Sequence, residues 1–381
     1  MTTSRTSHPT AALATQVALG WSLYVTLMGV YWAAGGAGYP FGRNDVIGPA
    51  SGSVLAAMDA PVGGPAIAAA GVVGLALVTL LSRSRSRPAG RRVAILAGGG
   101  YAVLLVAVAV DGRAIMLLPP LGVFPVKWVD ADWPTIFQMT VPVAAAGFFV
   151  ATVTMARRTA DRSPTGLARA AARSQAWDRA GRIATYVAIV CPLPYAIIRL
   201  CWSRGWPVGA PEPFVESILR TQPANVWIEP VLAGFALTGV ALTAGLLCRW
   251  GRVFPSWLPV LGSRRVPLWL PLGLGGSAAI GVGTWGKGML LGRLGVELPS
   301  QLSEFQQFGM SVQGWEYWGT DGLAWILFPL WGVSLAVALA GYYHRVGPVT
   351  PSRPVAPHGS ARPNPTTRAT PAARSPARRP G

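Results

Sequence analysis

The chain has 381 residues, of which 51% are hydrophobic and only 12% are charged, and its mean hydropathy is +0.41. This composition excludes an ordinary soluble protein and predicts a multi-pass membrane protein. The net charge is +18, but the basic residues form neither a groove nor a recognition helix, so we expect no nucleic acid partner. The three histidines lie outside the apolar segments without ligand neighbours, so no metal site is predicted.

Eight apolar segments approach the length that crosses a bilayer, whose hydrocarbon core of about 30 Å takes about 20 helical residues. They lie at 11–34, 65–82, 93–110, 135–156, 183–203, 230–248, 267–290 and 322–342. We therefore predict an all-α integral membrane protein, an eight-helix transmembrane bundle with both termini on one side. The first segment is too long for the apolar region of a signal peptide, and we expect it to be a retained anchor.

Arginine placement indicates the side on which each connection lies. The connections after the second, fourth and sixth segments are rich in arginine and include the pairs Arg91–Arg92, Arg157–Arg158 and Arg264–Arg265. Cytoplasmic loops carry an excess of Lys and Arg, so these connections and both termini are predicted to be cytoplasmic. We call this end of the bundle the inner end and the opposite end the outer end.

The same features divide the chain into five regions. These are a cytoplasmic N-terminus at 1–10, a four-helix half at 11–156, a basic cytoplasmic linker at 157–182, a second four-helix half at 183–342, and a basic Pro/Arg-rich tail at 343–381. The linker is rich in Ala and Arg, and we expect part of it, 163–182, to lie on the membrane surface as an amphipathic helix. The tail has no apolar periodicity and is predicted to be disordered and cytoplasmic.

The most unusual segment is the fifth, from Ile183 to Trp202, because it contains Pro192, Pro194 and Arg199. Each proline removes a backbone N–H donor and its ring displaces the preceding turn. The helix should therefore kink near its middle. Arg199 should lie near the outer surface of the membrane.

Several features recur when the eight segments are split into two groups of four. Trp32 and the turn that ends at Gly42 correspond to Trp202 and the turn that ends at Gly209. Pro142, ahead of one basic edge, corresponds to Pro329 ahead of another. These correspondences favour two parallel four-helix repeats, related by an axis along the membrane normal, and duplicated membrane folds often bind their ligands between repeats.

Three stretches resemble a known group of sequences: PLPYAIIRLCW with GWPVG after it, RWGRVFPSWLPVLGSRRVP at 249–267, and YWAAGGAGYPFG at 31–42. They are similar to segments of uncharacterised multi-pass membrane proteins of high-GC, actinomycete-type bacteria. The resemblance covers most of the membrane portion. It implies the same topology in a bacterial plasma membrane, and it implies no activity, cofactor or catalytic residue.

Charged side chains inside a membrane are costly and often functional, yet the middle of the apolar segments holds almost none. Ion-coupled transport and membrane-embedded hydrolysis are therefore disfavoured, and neither catalytic residues nor a cofactor is predicted. Polar groups gather instead at the outer ends. The candidate ligand-binding residues are Arg199, Lys287, Glu229, Asp321, Pro192 and Pro194.

Two interpretations of this outer cluster stay open. Its side chains either extend to the interface and pair there, or they form an outward-facing polar pocket in which Arg199 and Lys287 contact an anionic group. The glycines of the seventh segment likewise indicate either close helix packing or a hinge.

Three classes of function follow in order of preference. The first is non-enzymatic binding or transport of a lipid or small amphiphile, so that membrane lipids are the expected partners. The second is a structural or regulatory subunit of a membrane protein complex, which would require a protein partner. The third is an integral-membrane enzyme. The sequence gives neither the ligand, nor the direction of any transport, nor the oligomeric state.

Overall fold

The computed structural model describes residues 9–45, 48, 52–83, 88–117, 133–158, 163–221, 225–293, 318–319 and 323–347. Ten α-helices lie within these residues: α1 (Pro9–Ala33), α2 (Ala60–Arg83), α3 (Pro88–Leu104), α4 (Trp133–Arg158), α5 (Pro164–Val190), α6 (Pro192–Trp202), α7 (Glu212–Thr221), α8 (Asn225–Gly245), α9 (Trp269–Arg293) and α10 (Leu323–Val346). The described part of the chain contains no β-strand beyond one isolated bridge between Val253 and Arg265. The prediction of an all-helical protein is confirmed.

Seven stretches of helix are long and apolar enough to cross a membrane. They correspond to seven of the eight predicted segments: α1, α2, α3 with its extension, α4, α5 joined to α6, α8 and α10. The remaining predicted segment is a continuous helix of 25 residues, α9, but it is not among the seven. Its glycines add little hydropathy and Lys287 reduces it.

The fifth segment is interrupted where the prolines predict. Helix α5 ends at Val190, Cys191 is a turn residue, and α6 begins at Pro192. Pro192 is buried and Pro194 is half-buried. Because neither proline can donate to the carbonyl four residues earlier, the hydrogen-bond ladder has a gap at this level.

Residues 163–182, which we expected to lie on the membrane surface as an amphipathic helix, are helical but do not form a separate helix. Those residues open α5, with Ser163 as the N-cap and its hydroxyl accepting from Gly166 N–H at 3.0 Å. The helix then continues without a break into the apolar segment. At about 1.5 Å per residue, its 27 residues extend about 40 Å, which is longer than the hydrocarbon core of a bilayer, about 30 Å.

Each half of the bundle is held together by several pairs of packed helices. In the first half, α1 packs against α2 and α4, and α4 packs against α3. In the second half, α5 packs against α10 and α8, α6 packs against α8, and α10 packs against α9. The halves meet where α9 packs against a short 3-10 turn, Gly112–Leu117. The predicted tail lies outside the described residues from 348 onward.

Glycines set the closest helix approaches. Gly181 of α5 faces Gly341 of α10, and a Cβ on either would come within 2.6 Å of the other's Cα. In α9, Gly286 faces Pro329 in the same way, whereas Gly273 and Gly276 face open space. The close packing predicted for the α9 glycines therefore applies to one side of that helix.

Candidate functional site

Arg199 and Glu229, two of the predicted site residues, form an ion pair at the outer end. The Arg199 Nη1 donates to both carboxylate oxygens of Glu229, at 3.0 Å and 2.9 Å. The Glu229 side chain is 4% exposed, while 27% of the Arg199 side chain remains exposed. The carboxylate is therefore buried, while part of the Arg199 side chain remains exposed.

Aromatic rings fix the position of the Arg199 guanidinium. Its Cζ lies 4.9 Å from the ring centroid of Tyr195 and 5.2 Å from that of Trp202. Trp202 is itself buried, and its indole N–H donates to the Val208 carbonyl at 2.9 Å. A cation over aromatic faces gains about 0.5–2 kcal/mol in such surroundings, so the guanidinium is held on two sides as well as by Glu229.

The local sequence explains why this pair forms. Arg199 lies in the last turn of α6 and Glu229 lies near the start of α8, just before Pro230. The cation of Arg199 is stabilised by the negative end of the α6 dipole. Ala196 and Ala233, both buried, let α6 and α8 approach closely enough for the two side chains to meet.

Lys287 does not share these contacts. Its Nζ donates to the Val110 carbonyl at 2.5 Å and to the Val108 carbonyl at 3.4 Å. These carbonyls lie at the end of a π-helical turn, Leu105–Ala109, that follows α3. No described contact joins Lys287 to Arg199. Asp321, the remaining charged candidate, lies outside the described residues.

A second charged cluster at the outer end was missed by the sequence analysis. Arg113 lies between Asp45 and Asp111, and its side chain is only 1% exposed. Its Nη1 and Nη2 donate to the two Asp45 oxygens, both at 2.9 Å. Its Nε donates to both Asp111 oxygens at 3.1 Å, and its Nη2 donates to Asp111 Oδ2 at 2.6 Å. We call these three residues the buried triad.

Burial and charge act in opposite directions on the triad. Burial raises the pKa of Asp45, and the nearby Asp111 carboxylate adds to this, although Arg113 and the Gly48 N–H partly offset it. Burial alone would lower the pKa of Arg113, but hydrogen bonds and charges from Asp111 and Asp45 outweigh it and raise that pKa. Arg113 therefore stays charged and is shared between two carboxylates.

The triad was not visible in the sequence because its members lie outside the apolar segments. Asp45 is in the connection after α1, while Asp111 and Arg113 follow α3. The short spacing of Asp111 and Arg113 was the one available signal, and it does not predict a distant carboxylate. Lys287 lies close enough to Asp111 for their charges to interact, so α9 brings a positive charge near the triad.

Two buried polar side chains in the first half lack partners. Gln138 of α4 is 1% exposed, and neither its amide oxygen nor its amide nitrogen has a hydrogen-bond partner among the described residues. The indole N–H of Trp32 is also buried without a hydrogen-bond partner among the described residues. The Trp32 ring lies 6.3 Å from that of Phe137, the neighbour of Gln138 in sequence. Such groups cost about 1–3 kcal/mol each when they are buried without a partner.

Comparison with protein-family models, curated proteins and solved structures finds no match for this chain. The resemblance to segments of actinomycete-type membrane proteins thus stays an expectation.

Chemically, the two charged clusters differ in what they can do. The guanidinium of the buried triad is enclosed by its two carboxylates and has almost no exposed surface. Arg199 keeps an exposed flank while its other contacts hold it in place. Of the two arginines, Arg199 has the more exposed side chain.

Proposed function

We propose that this multi-pass membrane protein binds an anionic lipid or small amphiphile at its outer end, where the Arg199 guanidinium contacts the anionic group. The observation that carries the proposal is that Arg199 is fixed by Glu229 and two rings yet keeps 27% of its side chain exposed. A guanidinium recognises phosphate or carboxylate through short charge-assisted hydrogen bonds. A pre-positioned guanidinium binds an anion with less loss of side-chain entropy.

Apolar surface beside Arg199 supports an amphiphile over a simple anion. Ile197 and Leu200 of α6 are 59% and 42% exposed, and Trp206 in the following turn is 61% exposed. These side chains give the same end of α6 an exposed apolar surface for the tail of an amphiphile. Simple interfacial pairing of Arg199 with Glu229 predicts instead that neither variant at these two positions changes lipid binding.

The number of spans and the side of each connection are inferred as well. We infer that α9 is an eighth span, since 25 residues extend about 37 Å at about 1.5 Å per residue. The arginine-rich connections then lie in the cytoplasm together with both termini. A bacterial plasma membrane is the location that the resemblance implies.

The two-repeat architecture is also part of the proposal. The helix pairing of the two halves supports it. In the first half, α1 packs against α2 and α4, and α4 packs against α3. In the second half, α5 and α6 pack against α8 and α10 in the same way, and α10 packs against α9. The Arg199–Glu229 pair has no charged counterpart in the first half, where Gly29 and Ala60 occupy the comparable helix ends. The proposed site is therefore a property of the second half alone.

The test uses the full chain in detergent and two probes with a single acyl chain, lysophosphatidic acid and the zwitterionic lysophosphatidylcholine. We expect Arg199→Gln to weaken binding of lysophosphatidic acid about tenfold, the size of one lost charge-assisted contact. The matched control is Arg220→Gln on α7, which removes an arginine that is 79% exposed and paired with Glu216. That control should leave the affinity unchanged.

Glu229→Gln separates ligand binding from simple pairing. Glu229→Gln removes the carboxylate that competes for the guanidinium, while the rings of Tyr195 and Trp202 still hold the guanidinium in place, so this variant should bind lysophosphatidic acid more strongly. Equal affinities for the Arg199→Gln and Arg220→Gln variants, or no gain with Glu229→Gln, would contradict the proposal. If the chain is instead a subunit of a complex, the purified chain should bind neither probe and a second protein should co-purify with it stoichiometrically.

A further inference from the structure

Basic side chains from three separate segments meet at the inner end of the bundle. The Arg157 guanidinium, at the end of α4, lies 4.7 Å from the ring centroid of Tyr343 in α10. Trp177 of α5 stacks on His344, with ring centroids 6.0 Å apart and an interplanar angle of 8°. Arg157 and Arg173 both lie close enough to His344 for their charges to act on its ring.

The positive charge at this place is not balanced. We define the inner basic cluster as Arg157, Arg173, Arg182 and Arg345. Asp178 is the only acidic residue in α4, α5 and α10. It accepts from Arg345 Nε at 2.6 Å and from Arg182 Nε at 3.2 Å. This one carboxylate pairs with two of the four arginines, which leaves a net positive charge among the described side chains of the cluster.

Arg345 also has more donors than its surroundings satisfy. Its Nη1 donates to the Leu246 carbonyl at 2.9 Å, and its side chain is only 10% exposed. Its Nη2 is buried and has no hydrogen-bond partner among the described residues. Leaving a charged donor unsatisfied is costly, so an acceptor from outside the chain would be stabilised here.

The depth of the cluster indicates the source of that acceptor. The apolar part of the fifth segment begins at Ile183, one turn beyond Asp178. Trp177 is 39% exposed, and exposed tryptophans are enriched at the level of lipid headgroups. Basic sites between helices at the cytoplasmic side bind anionic headgroups. We infer that the inner basic cluster binds the phosphate headgroup of an anionic phospholipid.

The experiment reconstitutes the full chain in nanodiscs of phosphatidylcholine and adds phosphatidylglycerol as the anionic probe. The test variant is Arg157→Gln/Arg173→Gln, because both side chains are exposed and neither is needed for the Asp178 ion pairs. Each arginine near an anionic surface contributes about a 5-fold gain in affinity, so we expect the double variant to bind about 30-fold more weakly. The matched control is Arg204→Gln/Arg220→Gln at the outer end, with the same change in charge.

Retained affinity in the double variant, or an equal loss in the control, would overturn the assignment. Equally strong binding of inorganic phosphate at the same concentration would also overturn the assignment, since a lipid would then not be required. If the double variant has a lower thermal midpoint in pure phosphatidylcholine, Arg173→Gln alone serves instead, with an expected loss of about 5-fold. Because Arg199 lies at the other end of the bundle, this result is independent of the outer site.

Discussion

At the scale of single residues, the charged side chains are the informative ones, and their partners determine what each can do. Arg199 and Arg113 are both arginines near the outer end, but one keeps an exposed flank and the other is enclosed by two carboxylates. Burying an ion pair is costly, and breaking it by removing one partner is costlier still. The buried triad is therefore expected to stabilise the outer connections and to have no ligand.

Removal of Arg113 should destabilise the protein more than removal of one of its carboxylates. Arg113→Gln leaves Asp45 and Asp111 buried with no cation between them, and we expect a loss of about 3–5 kcal/mol. Asp45→Asn should cost less, because Asp111 still pairs with Arg113. Thermal unfolding in detergent, followed by tryptophan fluorescence, provides the comparison, with Arg43→Gln in the same connection as an exposed control.

The effect of pH on these variants checks the same interpretation. The pKa of Asp45 is raised above 3.8 in the folded protein, so the folded state binds this proton more tightly than the unfolded state. Its contribution to stability is therefore complete below pH 3.8 and is lost as the pH rises through the folded-state pKa. Acidification should raise the wild-type midpoint relative to Asp45→Asn. An Arg113→Gln variant that is as stable as the control at neutral pH would contradict the role of the triad.

At the scale of helices, glycine positions determine how closely the second half packs. A Cβ at Gly332 of α10 would lie 2.6 Å from the Cα of Gly283 in α9 and 2.7 Å from the Ala279 carbonyl oxygen. These atoms belong to the backbone of a packed helix and cannot move away cheaply. A Cβ at Gly276, on another side of α9, would have no neighbouring atom within 4 Å.

Two alanine substitutions in these helices should therefore have opposite effects. We expect Gly332→Ala to destabilise the protein by about 1–3 kcal/mol through overpacking. Gly276→Ala should be neutral or stabilising by up to about 1 kcal/mol, because alanine favours the helix more than glycine does. Unfolding in increasing sodium dodecyl sulfate measures both variants, and a similar loss of stability in the two would show that α9 and α10 do not pack as described.

At the scale of the whole molecule, the bundle has different clusters of charged side chains at its two ends. The outer end contains the Arg199–Glu229 pair and the buried triad, and the inner end contains the inner basic cluster. The long α5 connects the two levels, because it begins in the inner cluster and leads through the break at Cys191 into α6. The orientation of this bundle in the membrane is the property that both proposed sites depend on.

Cysteine labelling in whole cells tests that orientation. In a background without Cys191, Cys201 and Cys248, each test position becomes a single cysteine. An impermeant thiol reagent should label Arg43→Cys and Arg204→Cys in intact cells, since both lie in outer connections. It should label Arg169→Cys and Val260→Cys only after permeabilisation, because the arginine-rich connections are predicted to be cytoplasmic. Labelling of Val260→Cys in intact cells would contradict α9 as a span that starts at the inner end.

The sequence by itself determined the class of the protein and the course of most helices. Apolar segments of spanning length must be helical, since a lipid-exposed backbone has to satisfy its own hydrogen bonds, and seven of the eight predicted segments qualify as spans. The interruption beside Pro192 was predictable because a missing N–H acts locally. Hydropathy does not decide whether α9 spans the membrane, because glycine contributes little hydropathy whether or not it faces lipid.

Only the tertiary structure decided which side chains meet. Arg199 and Lys287 looked equivalent in sequence, yet one pairs with Glu229 and the other contacts carbonyls after α3. The triad joins Asp45 to Arg113 across 68 positions, and Arg345 meets Asp178 across 167. Local pattern encodes hydropathy and helix breaks because these act within a few turns. Long-range ion pairs depend on how helices pack, which is a property of the whole fold.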